Sequence, residues 1–317
     1  MGVPFRMVVY ATNEVHAERA VDAAFARIAE LNAIMSDYET DSELSKLSRS
    51  SEEGAPEVRV SEGLWLVLER SQELARATDG AFDVTIGPCA ALWRKARREQ
   101  EFPEADRLES ARKKVGYQDL VLNEKNRSAR LLRFGMRLDL GAIAKGYAAD
   151  EALKVLRSFG IKRALVAASG DLALGDPPLG EDGWRVEIVG YDAPNGPPSA
   201  IVQLANCGVA TSGDLFQRVE INGVRYSHIV NPFTCVGMTN HALATVIAKD
   251  CLTADSLATV MTVAEKETAF SIAKKRNAAT RVVRMENGKP VVETNPKFRK
   301  IVPEQNGIYT QSSPKGK

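Results

Sequence analysis

Apolar and polar positions alternate along the chain with two different periods, and the changes of period mark the elements. Residues 5–11 (FRMVVYA) read as a strand, and Asn13 sits where a helix cap belongs, ahead of Val21, Phe25, Ile28, Leu31 and Met35 at helical spacing. The polar stretch SDYETDSELSKLS predicts a loop with a short helical turn. Ser61 as N-cap and Gly80 past the end bracket a second helix running to about Thr78. FDVTIG is short and β-prone, a basic helix AALWRKARRE follows Pro88, and 103–115 reads as another helix. Within 119–140 the pattern predicts two or three strands with a turn at Asn123 to Asn126, the last strand ending at Asp139. A helix from Gly141 to about Phe159 is stopped by Gly160, and RALVAAS is a buried strand. More strands are expected around 184–190 and 200–206, and Asn222-Gly223 and Asn287-Gly288 predict hairpins, hence a largely antiparallel sheet. The strand ATVIA and a helix from Thr253 complete the pattern, while QSSPKGK reads as a disordered tail. Pro- and Gly-rich stretches at 176–183 and 191–199 mark loops and no domain border.

Composition narrows the class. The chain has 317 residues, 44% hydrophobic and 26% charged, as in an ordinary globular protein with a sizeable core. Its 42 Lys+Arg against 41 Asp+Glu leave a net charge of +1. So balanced a surface has no long-range pull toward nucleic acid or anionic lipid, and an anionic ligand needs a local site. No apolar run approaches the roughly 18 to 20 residues of a membrane helix. Cys89, Cys207, Cys235 and Cys251 are widely separated, match neither a CxxC pattern nor a disulfide framework, and are read as buried or free thiols.

Three stretches carry candidate chemistry. In LDLGAIAKGYAAD (138–150), Asp139, two glycines and a helix start make an anion seat, with Lys145 adding a cation; tight helix packing explains the same glycines. In TADSLAT (253–259), Asp255 and Thr259 share a helix face at i and i+4, an oxygen pair suited to Mg²⁺, although taken alone the stretch fits helix capping by Thr253 and Asp255 better. In RYSHIVNPFT (225–234), His228 stands near the end of a hairpin strand, where it accepts a proton, bonds a phosphate oxygen, or is simply structural. Glycine-rich ASGDLALGD and TSGD mark sharp turns or close approach to a ligand. Tyr38, Phe82 and Trp93 are candidates for stacking on a planar ring, the last two more often core.

Taken in order, MG at 1–2, MSDY with SELSKL, GAFDVTIGP with LW, LDLGAIAKGYAAD, SGDLALG, ATSGD, YSHIVNP and TADSLAT resemble the ApbE family, the FAD:protein FMN transferases. The resemblance implies an α+β, T-fold-like unit of antiparallel sheets and packed helices, one domain over 1–310 with the tail 311–317 beyond it. It implies that the Ala142 carbonyl, Asp255 and Thr259 bind Mg²⁺. It further implies that Met1, Tyr38, the Ala81-Phe82-Asp83 segment, Asp139, Lys145 and Ile229 line a site for FAD as substrate, with His228 beside the phosphates. The implied reaction moves FMN from FAD to a Ser or Thr hydroxyl of an acceptor protein with an Asp-Gly, Ser/Thr-rich motif, and releases AMP. His228 and Asp255 are both candidates for the base; FAD hydrolysis and FAD binding without turnover are the alternatives. Asn231 stands where the family usually has Asp, Cys235 where it has Gly, and Ser169 replaces the first Gly of a common GGD. The chain opens directly on the MG block, which fits either a cytoplasmic protein or an exported one whose leader has been trimmed.

Overall fold

The computed structural model describes residues 2–51, 57–190, 198–215, 217–286 and 289–302. β1 (Phe5–Val9) leads into α1 (Glu14–Met35), where the Asn13 side chain accepts the His16 N–H at 2.8 Å, the cap read from sequence. α2 (Glu43–Arg49), capped by Ser42, is followed by β2 (Val58–Arg59) and α3 (Glu62–Ala77), capped by Ser61. Next come α4 (Gly87–Glu99), α5 (Ala105–Arg112), and the hairpin of β3 (Leu120–Asn123) with β4 (Ser128–Leu131). α6 (Ala144–Ser158), β5 (Ala164–Ala168), β6 (Asp171–Leu174), β7 (Trp184–Ile188), β8 (Ala200–Leu204) and β9 (Cys207–Gly213) follow. β10 (Arg218–Ile221) and β11 (Val224–Ser227) form the Asn222-Gly223 hairpin, and β12 (Leu243–Ala248) then runs into α7 (Cys251–Val263). α8 (Lys266–Lys275), β13 (Ala279–Glu286), β14 (Lys289–Thr294) and α9 (Pro296–Ile301) end the described chain.

The main sheet has the order β1-β5-β6-β9-β12-β13-β14, and every neighbouring pair is antiparallel. Alternation along the strands sorts the two faces. Ala164, Val166 and Ala168 of β5 pack with Ala149, Leu153 and Leu156 of α6 and with Ala20 and Ala24 of α1. From the same strand Leu165 points the other way, into a cluster with Trp184, Val186, Val202 and Phe298. One face thus carries α1, α6 and α7, and the other carries the β7–β8 hairpin and α9. The α+β class with antiparallel sheets and packed helices holds. Among the described residues no helix is long and apolar enough to cross a membrane.

Several local expectations need correction. FDVTIG is not a strand: the Asp83 carboxylate accepts from Thr85 N and Oγ1, both at 2.8 Å, and folds the segment into a turn whose lone sheet contact is an Ile86–Arg137 bridge. Residues 132–140 carry no more than that bridge, so Asp139 does not end a strand; its carboxylate instead accepts the Gly141 N–H and turns the chain. Residues 141–143 form a turn, so α6 starts at Ala144 and not Gly141. α7 is capped by Asp250, which accepts from Thr253 N at 2.8 Å, not by Thr253 or Asp255. Cys89 and Cys235 are not free thiols; they are joined as a disulfide with Cα atoms 4.8 Å apart, a contact 146 residues apart in sequence that spacing did not reveal. Cys207 and Cys251 are free, as expected. Met1, residues 191–197 of the stretch expected as a loop, the pair Asn287-Gly288 expected as a hairpin turn, and the expected tail 311–317 lie outside the described residues; β13 and β14, on either side of 287–288, pair antiparallel.

Candidate active site

The starts of α6 and α7 meet above the strand ends, and Gly146 sets their spacing. A Cβ on Gly146 would fall 2.3 Å from the Cys251 carbonyl oxygen and 2.8 Å from the Asp255 Cβ, so no other residue fits without moving a backbone. This approach lets Gly146 N–H donate to Asp255 Oδ2 at 2.9 Å. The other oxygen, Oδ1, accepts from Lys145 Nζ at 2.7 Å, and the same ammonium reaches Asp171 Oδ2 at 2.9 Å and the Gly141 carbonyl at 3.2 Å. Both carboxylates are buried. Burial alone would lower the Lys145 pKa, but Asp255 and Asp171 outweigh it and raise it. Asp171 is pushed up, first by burial and then by the Asp255 charge. One turn after Asp255, Thr259 Oγ1 lies 3.4 Å from Ser212 Oγ of β9. Lys145 is therefore a partly buried bridge between two buried carboxylates.

Gly141 links this cluster to a second one. Its N–H donates to Asp139 Oδ1 at 2.8 Å, while Asp139 Oδ2 accepts from Arg94 at 2.5 Å. Arg94 also bonds Asp37, and its guanidinium lies 4.5 Å above the Tyr38 ring, which is 64% exposed. Burial, with the nearby Asp37 charge, raises the Asp139 pKa. The 81–87 segment runs alongside, with Asp139 N–H donating to the Val84 carbonyl at 2.8 Å. The side chains of Ala81, Phe82 and Asp83 are all buried, Phe82 in the main core and Asp83 on Thr85. Any surface this segment offers a ligand is therefore backbone.

A third group comes from the β10–β11 hairpin. Trp93 of α4 donates its indole N–H to the Ser227 carbonyl at 2.9 Å and so fastens the end of β11. His228 follows, with Nδ1 3.2 Å from the Gln217 carbonyl. A carbonyl only accepts, so Nδ1 carries the proton and Nε2 keeps its lone pair. Burial and then the Arg97 charge lower the His228 pKa to about 4, and Lys145 acts in the same direction. The imidazole is neutral at pH 7, as a proton acceptor must be. Ile229 N–H is turned onto Ser227 Oγ at 3.0 Å, and its carbonyl accepts from Met238 N–H at 2.8 Å. Asn231 Oδ1 accepts the Phe233 N–H at 2.8 Å, the turn an Asp would also make, so the departure from Asp removes charge but not shape.

The structure thus gathers Lys145, Asp255 and Thr259 with Ala142 next to Gly141, ties Asp139 to them through Gly141, and sets Tyr38 beside Asp139 through Arg94. Asp37, Arg94, Arg97, Asp171 and Ser212 were missed as individual residues. Asp171 and Ser212 sit in the glycine-rich stretches noted above, whereas the two arginines were read only as part of a basic helix. Among the described residues no three His, Cys, Asp or Glu side chains cluster to hold a metal. A cavity of about 260 Å³ between α3, α6 and α7 is lined by none of Lys145, Asp255, Thr259 or His228, and is not part of this site.

A sheet backed by helices, with charged and hydroxyl groups gathered at one junction of two helices, defines an α+β protein with a polar site at that junction. The chain belongs to the ApbE family, whose model matches residues 1–283. Proteins named FAD:protein FMN transferase are similar: one from Haemophilus influenzae is 29% identical over 90% of this chain and 84% of its own length. One from Vibrio cholerae is 34% identical over 78% of this chain and 74% of its own length. A solved flavin transferase ApbE from Vibrio cholerae has a TM-score of 0.83 at 26% identity, covering 95% of this chain and 96% of that one. An ApbE protein from Thermotoga maritima has a TM-score of 0.82 at 27% identity, covering 96% and 97%.

Proposed function

We propose that the protein transfers FMN from FAD to a Ser or Thr hydroxyl of an acceptor protein and releases AMP. The observation that carries this reading is the Asp255 carboxylate, fixed by Gly146 N–H and shared by Lys145, with the Thr259 and Ser212 hydroxyls alongside; burial and the Arg97 and Lys145 charges favour a neutral His228.

The donors suit Mg²⁺. A carboxylate, a hydroxyl and backbone carbonyls are hard oxygen ligands, and Asp255, Thr259 and the Ala142 carbonyl would hold the ion. Lys145 now takes one Asp255 oxygen, yet it already bonds Asp171 at 2.9 Å and has that partner to fall back on. When bound, the ion offsets charge on the pyrophosphate and its leaving oxygen. Lys145 adds a fixed positive charge, and Asp139 with Arg94 holds the Gly141 turn and Tyr38 in place. His228 Nε2 takes the acceptor's hydroxyl proton. Asp255 is the poorer base, because both its oxygens are already bonded. The acceptor oxygen then bonds the FMN-side phosphorus, the P–O bond to AMP breaks, and AMP leaves with its phosphate. Water in place of the hydroxyl would give free FMN and AMP instead.

One incubation tests the reading: protein, FAD, Mg²⁺ and an acceptor domain carrying an Asp-Gly, Ser/Thr-rich motif, with AMP and the flavin's fate measured. Flavin on the acceptor is expected. Free FMN with unlabelled acceptor would make the protein a pyrophosphatase, and unchanged FAD would leave it a binder only. Asp255→Ala is expected to abolish Mg²⁺-dependent turnover.

A further inference from the structure

The outer side of α4 carries two arginines one turn apart, and they are in opposite states. Arg94 is saturated: it bonds Asp37 and Asp139 and stacks on Tyr38. Arg97 has no hydrogen bond and no ion pair among the described residues, although it is half-buried and its Nε is wholly enclosed. Asp37 and Asp139, the carboxylates that meet α4 one turn earlier, pair with Arg94, and the charge that acts on Arg97 from its surroundings is that of Arg94, a second cation. Arg97 shares α4 with Trp93, which is bonded to Ser227 next to His228, and with Arg94, which lies over Tyr38, so its helix touches both sides of the site; its charge is felt at Tyr38 and at His228. It has a fixed base, because Trp93 one turn earlier ties α4 to the Ser227 carbonyl at 2.9 Å and the Cys89–Cys235 disulfide ties the start of α4 to the loop after His228. Neighbouring Arg98 is different, exposed and near Glu99.

A half-buried cation without a counter-ion, beside another cation and with its Nε enclosed and unbonded, costs stability unless a ligand satisfies it. Its planar fork of donors suits phosphate oxygens, which accept two parallel N–H bonds. We propose that Arg97 is a phosphate-binding residue of the site, taking the pyrophosphate of the dinucleotide next to His228. The proposal rests on the flavin-transfer reading for the identity of the dinucleotide, not for the chemistry of the anion. The other anion that such a guanidinium would take is a carboxylate of the acceptor protein.

The test uses full-length protein, wild type with Arg97→Gln and Arg97→Lys, titrated with FAD, riboflavin and inorganic pyrophosphate. Removing a charge-assisted pair is expected to weaken FAD and pyrophosphate binding by roughly 10- to 100-fold. Riboflavin, which has no phosphate, binds all three proteins alike, and Arg97→Lys falls between the other two for FAD. Equal FAD and pyrophosphate affinities for wild type and Arg97→Gln would overturn the proposal. So would equal losses for FAD and riboflavin, which mean a disturbed site. An unchanged FAD affinity with a raised KM for the acceptor would overturn it in favour of the acceptor carboxylate. If wild type binds pyrophosphate in an Arg97-dependent way but not FAD, the phosphate role stands and the flavin reading falls.

Discussion

Gly146→Ala tests the helix junction on which the site is built. The new methyl would stand 2.3 Å from the Cys251 carbonyl oxygen and 2.6 Å from its carbon, about 1 Å closer than ordinary contact allows. Both atoms are backbone at the start of α7, so no side chain can swing aside. Overpacking of this kind costs about 1 to 3 kcal/mol. If α7 withdraws to relieve it, the Gly146 N–H to Asp255 bond is lost as well, a further 1.5 to 3 kcal/mol or so for a charged acceptor. Better helix propensity returns up to about 1 kcal/mol. The net expectation is a loss of about 2 to 5 kcal/mol in denaturant unfolding. Transfer activity, measured where the variant is still folded, should drop on the order of 100-fold, as expected when a reacting group is displaced by about 1 Å. A variant within about 0.5 kcal/mol of wild type and with full activity would refute the reasoning.

Three further perturbations probe separate parts of the site. Lys145→Met leaves Asp171 and Asp255 facing each other without their cation and should cost about 3 to 5 kcal/mol in chelator; Mg²⁺ should raise the variant's Tm more than the wild type's, and equal shifts would speak against Asp255 as a metal ligand. His228 should titrate by NMR near pH 4. Its folded pKa is below the ordinary 6.5, so between pH 6.5 and about 4 the unfolded chain binds a proton that the folded one does not, and stability falls on acidification; a midpoint near 6.5 would contradict the burial described here. The Cys89–Cys235 link closes a 146-residue separation and should contribute at most about 5 kcal/mol. Reductant should therefore lower the Tm of wild type and not that of a Cys89→Ala, Cys235→Gly variant, whereas free thiols in a non-reducing peptide map would remove the bridge from the account.

What was legible in the sequence was whatever local chemistry decides. Asn13 and Ser61 cap their helices because side-chain acceptors act within three residues, and Asn222-Gly223 turns its hairpin with both φ angles positive, 52° and 74°. FDVTIG was misread because β-propensity describes a packed pleated surface, and here Asp83 offers the backbone a turn instead. The site was legible as motifs and not as contacts. Lys145 and Asp255 stood out, but their shared partner Asp171 joins them only because β6 lies beneath both helix starts. Arg94 and Arg97 look alike in a basic run, and only the fold gives one two carboxylates and the other none.

The proposed reaction moves FMN onto a protein hydroxyl. The most direct measurement is mass spectrometry of the acceptor after incubation with wild type, FAD and Mg²⁺, with AMP counted in parallel. Transfer gives an acceptor heavier by one FMN less one water, one AMP released per acceptor modified, and no modification when Asp255→Ala replaces wild type. AMP and free FMN formed together over an unmodified acceptor would contradict it.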